Sequence, residues 1–99
     1  MEYKKLEQLV INWADEKGIF DKGTPIAQCD KTLEEVMELS TALHSDDKAE
    51  IKDALGDILV TIIIQAEMQG LELEDCLLTA YNVISKRKGK MINGQFVKE

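Results

Sequence analysis

Residues 50–70 read Glu-Ile-Lys-Asp-Ala-Leu-Gly-Asp-Ile-Leu-Val-Thr-Ile-Ile-Ile-Gln-Ala-Glu-Met-Gln-Gly. This stretch decides the fold class. In its first half Ile51, Leu55, Ile58 and Leu59 recur at helical spacing, while Glu50, Asp53 and Asp57 form a stripe of carboxylates on another face. Its second half, Ile58 to Ile64, is apolar on all sides, which marks a helix covered by neighbours or by another subunit. The β-branched residues there are also compatible with a buried strand. The unbroken run through Ala66, Glu67 and Met68 to Gly70 favours one helix over about 48–69. Extended by one turn, the acidic stripe reaches Val60 and Ile64, so the carboxylates stand at the mouth of the core. Charge in that position is costly unless it is paired or bound to metal.

Working back towards the N-terminus, Ser45-Asp46-Asp47 reads as a turn and a helix N-cap. Before it, a helix is predicted over 27–44, with Leu33, Val36, Met37, Ser40 and Leu43 as its packing face. It carries Glu35 and Glu38 one turn apart, Glu34 beside them and Lys31 one turn earlier. Like charges stacked along a helix repel by a few tenths of a kcal/mol per pair. Two such stripes on successive helices point to a cation held between them. A first helix is predicted over 2–17 from Leu6, Leu9, Val10, Trp13 and Ala14, with Gly18 as its stop and 19–26 as a loop. Beyond Gly70, a fourth helix is predicted over 71–88, ending in Lys86-Arg87-Lys88, where the helix dipole favours cations. Asn93-Gly94, flanked by Met91, Ile92, Phe96 and Val97, signals a small terminal β-hairpin.

Composition bounds the function. Ninety-nine residues with a formal net charge of -7 read as one domain, 1–99, whose modest core gains from oligomerisation. The acidic balance argues against a nucleic-acid-binding face. No apolar run approaches the ~20 residues of a membrane span, and no signal-peptide pattern opens the chain. Cys29 and Cys76 lack metal-ligand spacing and read as reduced, partly buried thiols. The expected location is the cytoplasm.

The chemistry follows from the ligand types. Magnesium takes oxygen ligands, commonly one or two carboxylates plus waters and substrate phosphates. Such an open site activates water and neutralises a phosphate chain. Lys86, Arg87, Lys88 and Lys90 are placed to meet polyphosphate, and Trp13 or Phe20 to stack on a base; each is also an ordinary surface or core residue. His44 is the single histidine and reads as a turn residue, so a di-iron bundle, which needs two Glu-x-x-His pairs, is excluded. A Gly-rich phosphate loop is absent.

These residues resemble the MazG-like branch of the all-α nucleoside triphosphate pyrophosphohydrolases, in particular its small phage and Gram-positive members. The hallmark of that family is E-x-x-E, a gap, then E-x-x-D on adjacent helices. Glu35-Val36-Met37-Glu38 fits the first half. Glu50-Ile51-Lys52-Asp53 fits the letters of the second, and Leu55-Gly56-Asp57-Ile58-Leu59 fits its context, with Ala54 where the family has glutamate. The resemblance implies an all-α four-helix bundle with a hairpin tail, assembled as a homodimer or homotetramer. It implies hydrolysis of nucleoside triphosphates at the α–β bond, with magnesium, or alternatively manganese, held by Glu35, Glu38 and Asp57 and by Asp53 or Glu50. Glu34 or Glu35 would be the general base. Lys31, Asn82, Lys86 and Arg87 would meet phosphates, and Trp13 and Gln28 the base. Two other readings remain at this stage: a nucleotide- or metal-binding module without catalysis, which Ala54 would explain, and a structural helical oligomer with solvated acidic stripes.

Overall fold

The structure is a computed structural model that describes all residues from Met1 to Glu99. It is mainly helical: α1 (Tyr3–Glu16), α2 (Ile19–Lys22), α3 (Pro25–Ser45), α4 (Lys48–Met68) and α5 (Leu73–Ile84), followed by β1 (Gly89–Ile92) and β2 (Gln95–Lys98). The expected all-α bundle with a terminal hairpin is therefore present. Its centre is the antiparallel pair α3–α4, and α1 lies against the other side of α4.

Local chemistry sets the boundaries. The Thr24 hydroxyl accepts from the Ala27 N–H at 3.2 Å, and Pro25 fills the first turn, where its missing N–H costs nothing. The helix thus opens two residues before the predicted 27. The predicted loop 19–26 holds a single helical turn, α2. Asp46 adopts the left-handed conformation that ends α3, and Asp47 caps α4 by accepting from Ala49 N at 3.0 Å and Glu50 N at 3.2 Å. α4 matches the predicted 48–69 closely.

The fourth predicted helix is shorter than expected. α5 ends at Ile84, so Lys86-Arg87-Lys88 lie in the connection to β1 rather than in a last helical turn. The cause is the hairpin: the Lys88 carbonyl accepts the Glu99 N–H at 2.9 Å, continuing the β1–β2 ladder that pairs Gly89 with Lys98. Asn93 and Gly94, both at positive φ, form the predicted tight turn.

Packing departs further from expectation. Along α3, the residues turned towards α4 are Gln28, Thr32, Glu35, Leu39 and Ala42. Leu33, Val36, Met37 and Leu43, the predicted packing face, are exposed, Met37 at 68%. Small residues explain the choice: Ala42 and Ala54 are both buried and line one cavity, allowing the helices to approach there. On α4, Ile63, Ile64 and Ala66 are buried, but Leu55 and Leu59 of the predicted face are not. α1 buries Ala14 completely while Leu6, Leu9 and Trp13 stay half exposed. Cys29 is exposed, which corrects the expected partial burial; Cys76 is partly buried, and both are free thiols.

Only eight of 99 residues are buried, and none is a large side chain that is fully enclosed. The radius of gyration is 15.7 Å, against about 13 Å for a compact chain of this length. No single helix is long and apolar enough to cross a membrane. Asp47→Ala should lower stability by about 1 kcal/mol, because it strips two N–H groups of their acceptor. Equilibrium denaturation compared with Glu16→Ala, an exposed helical carboxylate that makes no cap bond, checks this.

Candidate metal centre

α3 and α4 run side by side with their acidic stripes facing. Glu35, Glu38 and Asp57 each bring a carboxylate oxygen within 4.8 Å of the others. Glu35 and Asp57 are half-buried and Glu38 is exposed, so the cluster opens on one side to solvent. The Glu35 Oε2 atom is enclosed and has no hydrogen-bond partner. Burial raises the Glu35 pKa above the ordinary carboxylate value, aided by the neighbouring Glu38 and Asp57 carboxylates; Lys31 opposes the shift. Lys31 itself sits 3.8 Å from Glu34.

A network of neutral hydrogen bonds holds the two helices one turn from this cluster. The Thr32 hydroxyl lies 2.9 Å from the Thr61 hydroxyl, which donates to the Ile58 carbonyl at 2.7 Å. The Gln28 amide donates to the Thr61 carbonyl at 3.2 Å. Thr32 precedes Glu35 by three residues and Thr61 follows Asp57 by four, so the network fixes the register that makes the carboxylates meet.

The donor set suits a hard divalent cation. Octahedral magnesium at about 2.1 Å places its ligand oxygens roughly 3–4 Å apart, a spread that small side-chain rotations reach from the observed cluster. An orphaned enclosed oxygen and three converging carboxylates leave a place for positive charge that no lysine fills. With a cation bound, such a centre can neutralise phosphate charge and acidify water.

The remaining expected residues divide. Glu50 and Asp53 stand outside the three-carboxylate cluster, but line a cavity of about 400 Å³ together with Glu38, Thr41 and Ala54. Asp53 also borders a second cavity, of about 570 Å³, on the α1 side of α4, together with Asp57, Gly56, Tyr3 and Glu7. Gln28 spends its amide on Thr61, and Trp13 lines neither cavity. Asn82, Lys86 and Arg87 are exposed on the α5 side of the molecule and are not brought to the cluster.

One comparison decides the family. The sequence model of the MazG nucleotide pyrophosphohydrolase domain matches residues 24–92, which include α3, α4 and Glu35, Glu38, Glu50, Asp53 and Asp57. The chain belongs to this family. It is also similar to an uncharacterised 18.2 kDa protein from the rep-hol intergenic region of Haemophilus phage HP1, at 31% identity over 70 residues. That match covers 68% of this chain and 43% of the phage protein, so the chain spans less than half of its relative. No solved structure matches it significantly. MazG membership places the chain among nucleotide pyrophosphohydrolases in general.

Sequence reasoning missed Glu7. It is a buried carboxylate whose Oε2 has no partner, 3.9 Å from Lys4 through its other oxygen. Burial, and after it the neighbouring Glu7 carboxylate, holds the Tyr3 phenol above its ordinary pKa. The available signal was its place on the Val10–Ala14 face of α1, at i+3 and i+7.

The Glu35 shift has a sign that can be measured. Its folded pKa lies above the unfolded value, so the folded state holds the extra proton between the two. In metal-free protein this contribution is complete below the unfolded pKa near 4.5 and is lost as pH rises through the folded value. Glu35→Gln should remove that loss, leaving the metal-free melting temperature of the variant less sensitive to pH above 4.5 than that of the native chain. Equal pH dependence of the two would refute the assignment.

Proposed function

We propose that the chain hydrolyses nucleoside triphosphates between the α and β phosphates, releasing the nucleoside monophosphate and pyrophosphate. The convergence of Glu35, Glu38 and Asp57 around an orphaned oxygen, in a chain of this family, carries the reading. These three would hold magnesium, or manganese, with Asp53 as the fourth carboxylate, because it borders both cavities flanking the cluster. Glu50 is the alternative fourth ligand. The metal supplies charge neutralisation on the phosphates and a more acidic water.

In the reaction, water attacks the α phosphorus, the bond to the bridging oxygen breaks, and pyrophosphate leaves with that oxygen. Glu34 or Glu35 accepts the proton of the water. Lys31 stands close enough to the cluster to meet a phosphate oxygen once it leaves Glu34. Asn82, Lys86 and Arg87 are the further phosphate contacts. The base lies in the larger cavity, beside Asp57. Gly56 supports this placement. A mid-helix glycine costs about 1 kcal/mol relative to alanine, and a Cβ there would meet nothing within 4 Å. Packing within the chain therefore does not explain it, whereas an approaching ligand would. The chain works as a homodimer or homotetramer, which covers the exposed apolar faces of α3 and α5.

Pyrophosphate release from a panel of ribo- and deoxyribonucleoside triphosphates with magnesium tests the proposal. Glu38→Gln and Asp57→Asn should each lower the rate by roughly a hundredfold or more, and magnesium should raise the melting temperature of the native chain but not of these variants. Release from no nucleotide would remove the enzymatic reading. A separate outcome concerns Gly56→Ala: stability should rise by up to about 1 kcal/mol, while KM for the preferred nucleotide increases.

A further inference from the structure

Glu7 is the one charged residue that the fold buries. Its side chain is only 9% exposed, and its Oε2 atom is enclosed without a hydrogen-bond partner. Lys4 does not account for it. The Lys4 ammonium is half exposed, 3.9 Å from the other oxygen of Glu7 and closer, at 3.3 Å, to Glu72. The three ion pairs of the chain leave Oε2 alone. A carboxylate buried in this way costs free energy that an apolar side chain would not. The packing of α1 on α4 therefore gives no reason for its presence.

Its position supplies one. Glu7 stands in the wall between two cavities, one of about 570 Å³ and one of about 320 Å³. The larger has Asp53 and Asp57 on its border, beside the carboxylate cluster, and Leu6, Val10 and Val60 among its apolar lining. A mostly apolar cavity of this size with a few fixed polar groups has the character of a small-molecule site. Ile63 borders both cavities together with Glu7. It lies six residues beyond Asp57 on α4, about 9 Å at 1.5 Å per residue. Glu7 is thus set away from the phosphate end of the cavity, on the side where a base would lie. Tyr3, one turn before Glu7 on α1, borders the same cavity and is half exposed. Its ring is free to swing from Oε2 and stack on a planar ligand.

The chemistry of the group selects the base. An ionised carboxylate only accepts hydrogen bonds, and its two oxygens lie side by side. Among the common bases, guanine alone sets two N–H groups next to each other on its Watson–Crick edge, N1–H and the 2-amino group. Adenine and cytosine place a ring nitrogen lone pair beside their amino group, which repels the second oxygen. Uracil and thymine flank a single N–H with carbonyl oxygens. Hypoxanthine keeps N1–H but lacks the 2-amino group.

We propose that Glu7 is a specificity-determining residue that accepts N1–H and the 2-amino N–H of guanine, so that the preferred substrates are guanosine and deoxyguanosine triphosphates. Binding of the base supplies the missing partner of Oε2. The inference rests on the triphosphate reading for the reaction, but the recognition of the base is measurable without it.

The test is calorimetric titration of the native chain, with magnesium, against the α,β-methylene analogues of guanosine, inosine and adenosine triphosphates. The guanosine analogue should bind roughly tenfold or more tightly than the inosine analogue, which differs only by the 2-amino group, because hydrogen bonds to charged groups are the strong ones. Equal affinities, or binding of none of the three, overturn the proposal and leave Oε2 to an internal water. Glu7→Gln replaces one acceptor by a donor at the same volume. It should weaken the guanosine analogue by about tenfold or more, while the inosine analogue changes much less. An unchanged guanosine-to-inosine ratio in the folded variant also overturns it, and the comparison on the native chain stands even where the variant does not fold. Guanosine-selective binding without pyrophosphate release removes the proposed reaction and keeps the role of Glu7. Pyrophosphate release with no preference for guanine keeps the reaction and removes that role.

Discussion

The repulsion among Glu35, Glu38 and Asp57 is the constraint to which the rest of the structure answers. Two carboxylates at about 4 Å repel by about 1 kcal/mol in water and about 4 kcal/mol near a protein surface. The α3–α4 pair must hold them together regardless, and it does so with small residues and neutral hydrogen bonds. Ala42 and Ala54 let the helices close at one end of the cluster. Thr32, Thr61 and Gln28 lock the register at the other. A proton on Glu35 relieves part of the repulsion in the metal-free chain, which is why its pKa moves upward. A divalent cation would relieve more of it. The fold therefore carries a destabilising arrangement whose relief is ligand binding, a common bargain at functional sites.

Ala54 changes meaning in this setting. By sequence it is a gap in the E-x-x-D pattern of the family. In the structure it is a buried contact at the α3–α4 crossing, and a glutamate there would have to displace Ala42 or turn into the cavity beside Glu38. Asp53, one residue earlier, borders the cavities on both sides of α4 and can supply a carboxylate without entering the helix contact. Loss of the family glutamate is thus compatible with a complete oxygen shell, provided Asp53 turns towards the cluster.

The sequence revealed those features whose causes are local. Asp47 as a cap, the unbroken α4 and the Asn93-Gly94 turn all follow from residue type and spacing, and all are found. Features that depend on what covers a surface were less legible. The stripe Leu33, Val36, Met37 and Leu43 was correctly recognisable as apolar, but periodicity cannot tell whether the same chain or another one buries it. The end of α5 failed for a related reason. Three basic residues after a helical pattern suit a helix C-terminus, yet Lys88 is already committed to the hairpin ladder through Glu99. Glu7 was missed because a lone carboxylate on an amphipathic helix is normally solvated, and only the packing of α1 on α4 encloses it.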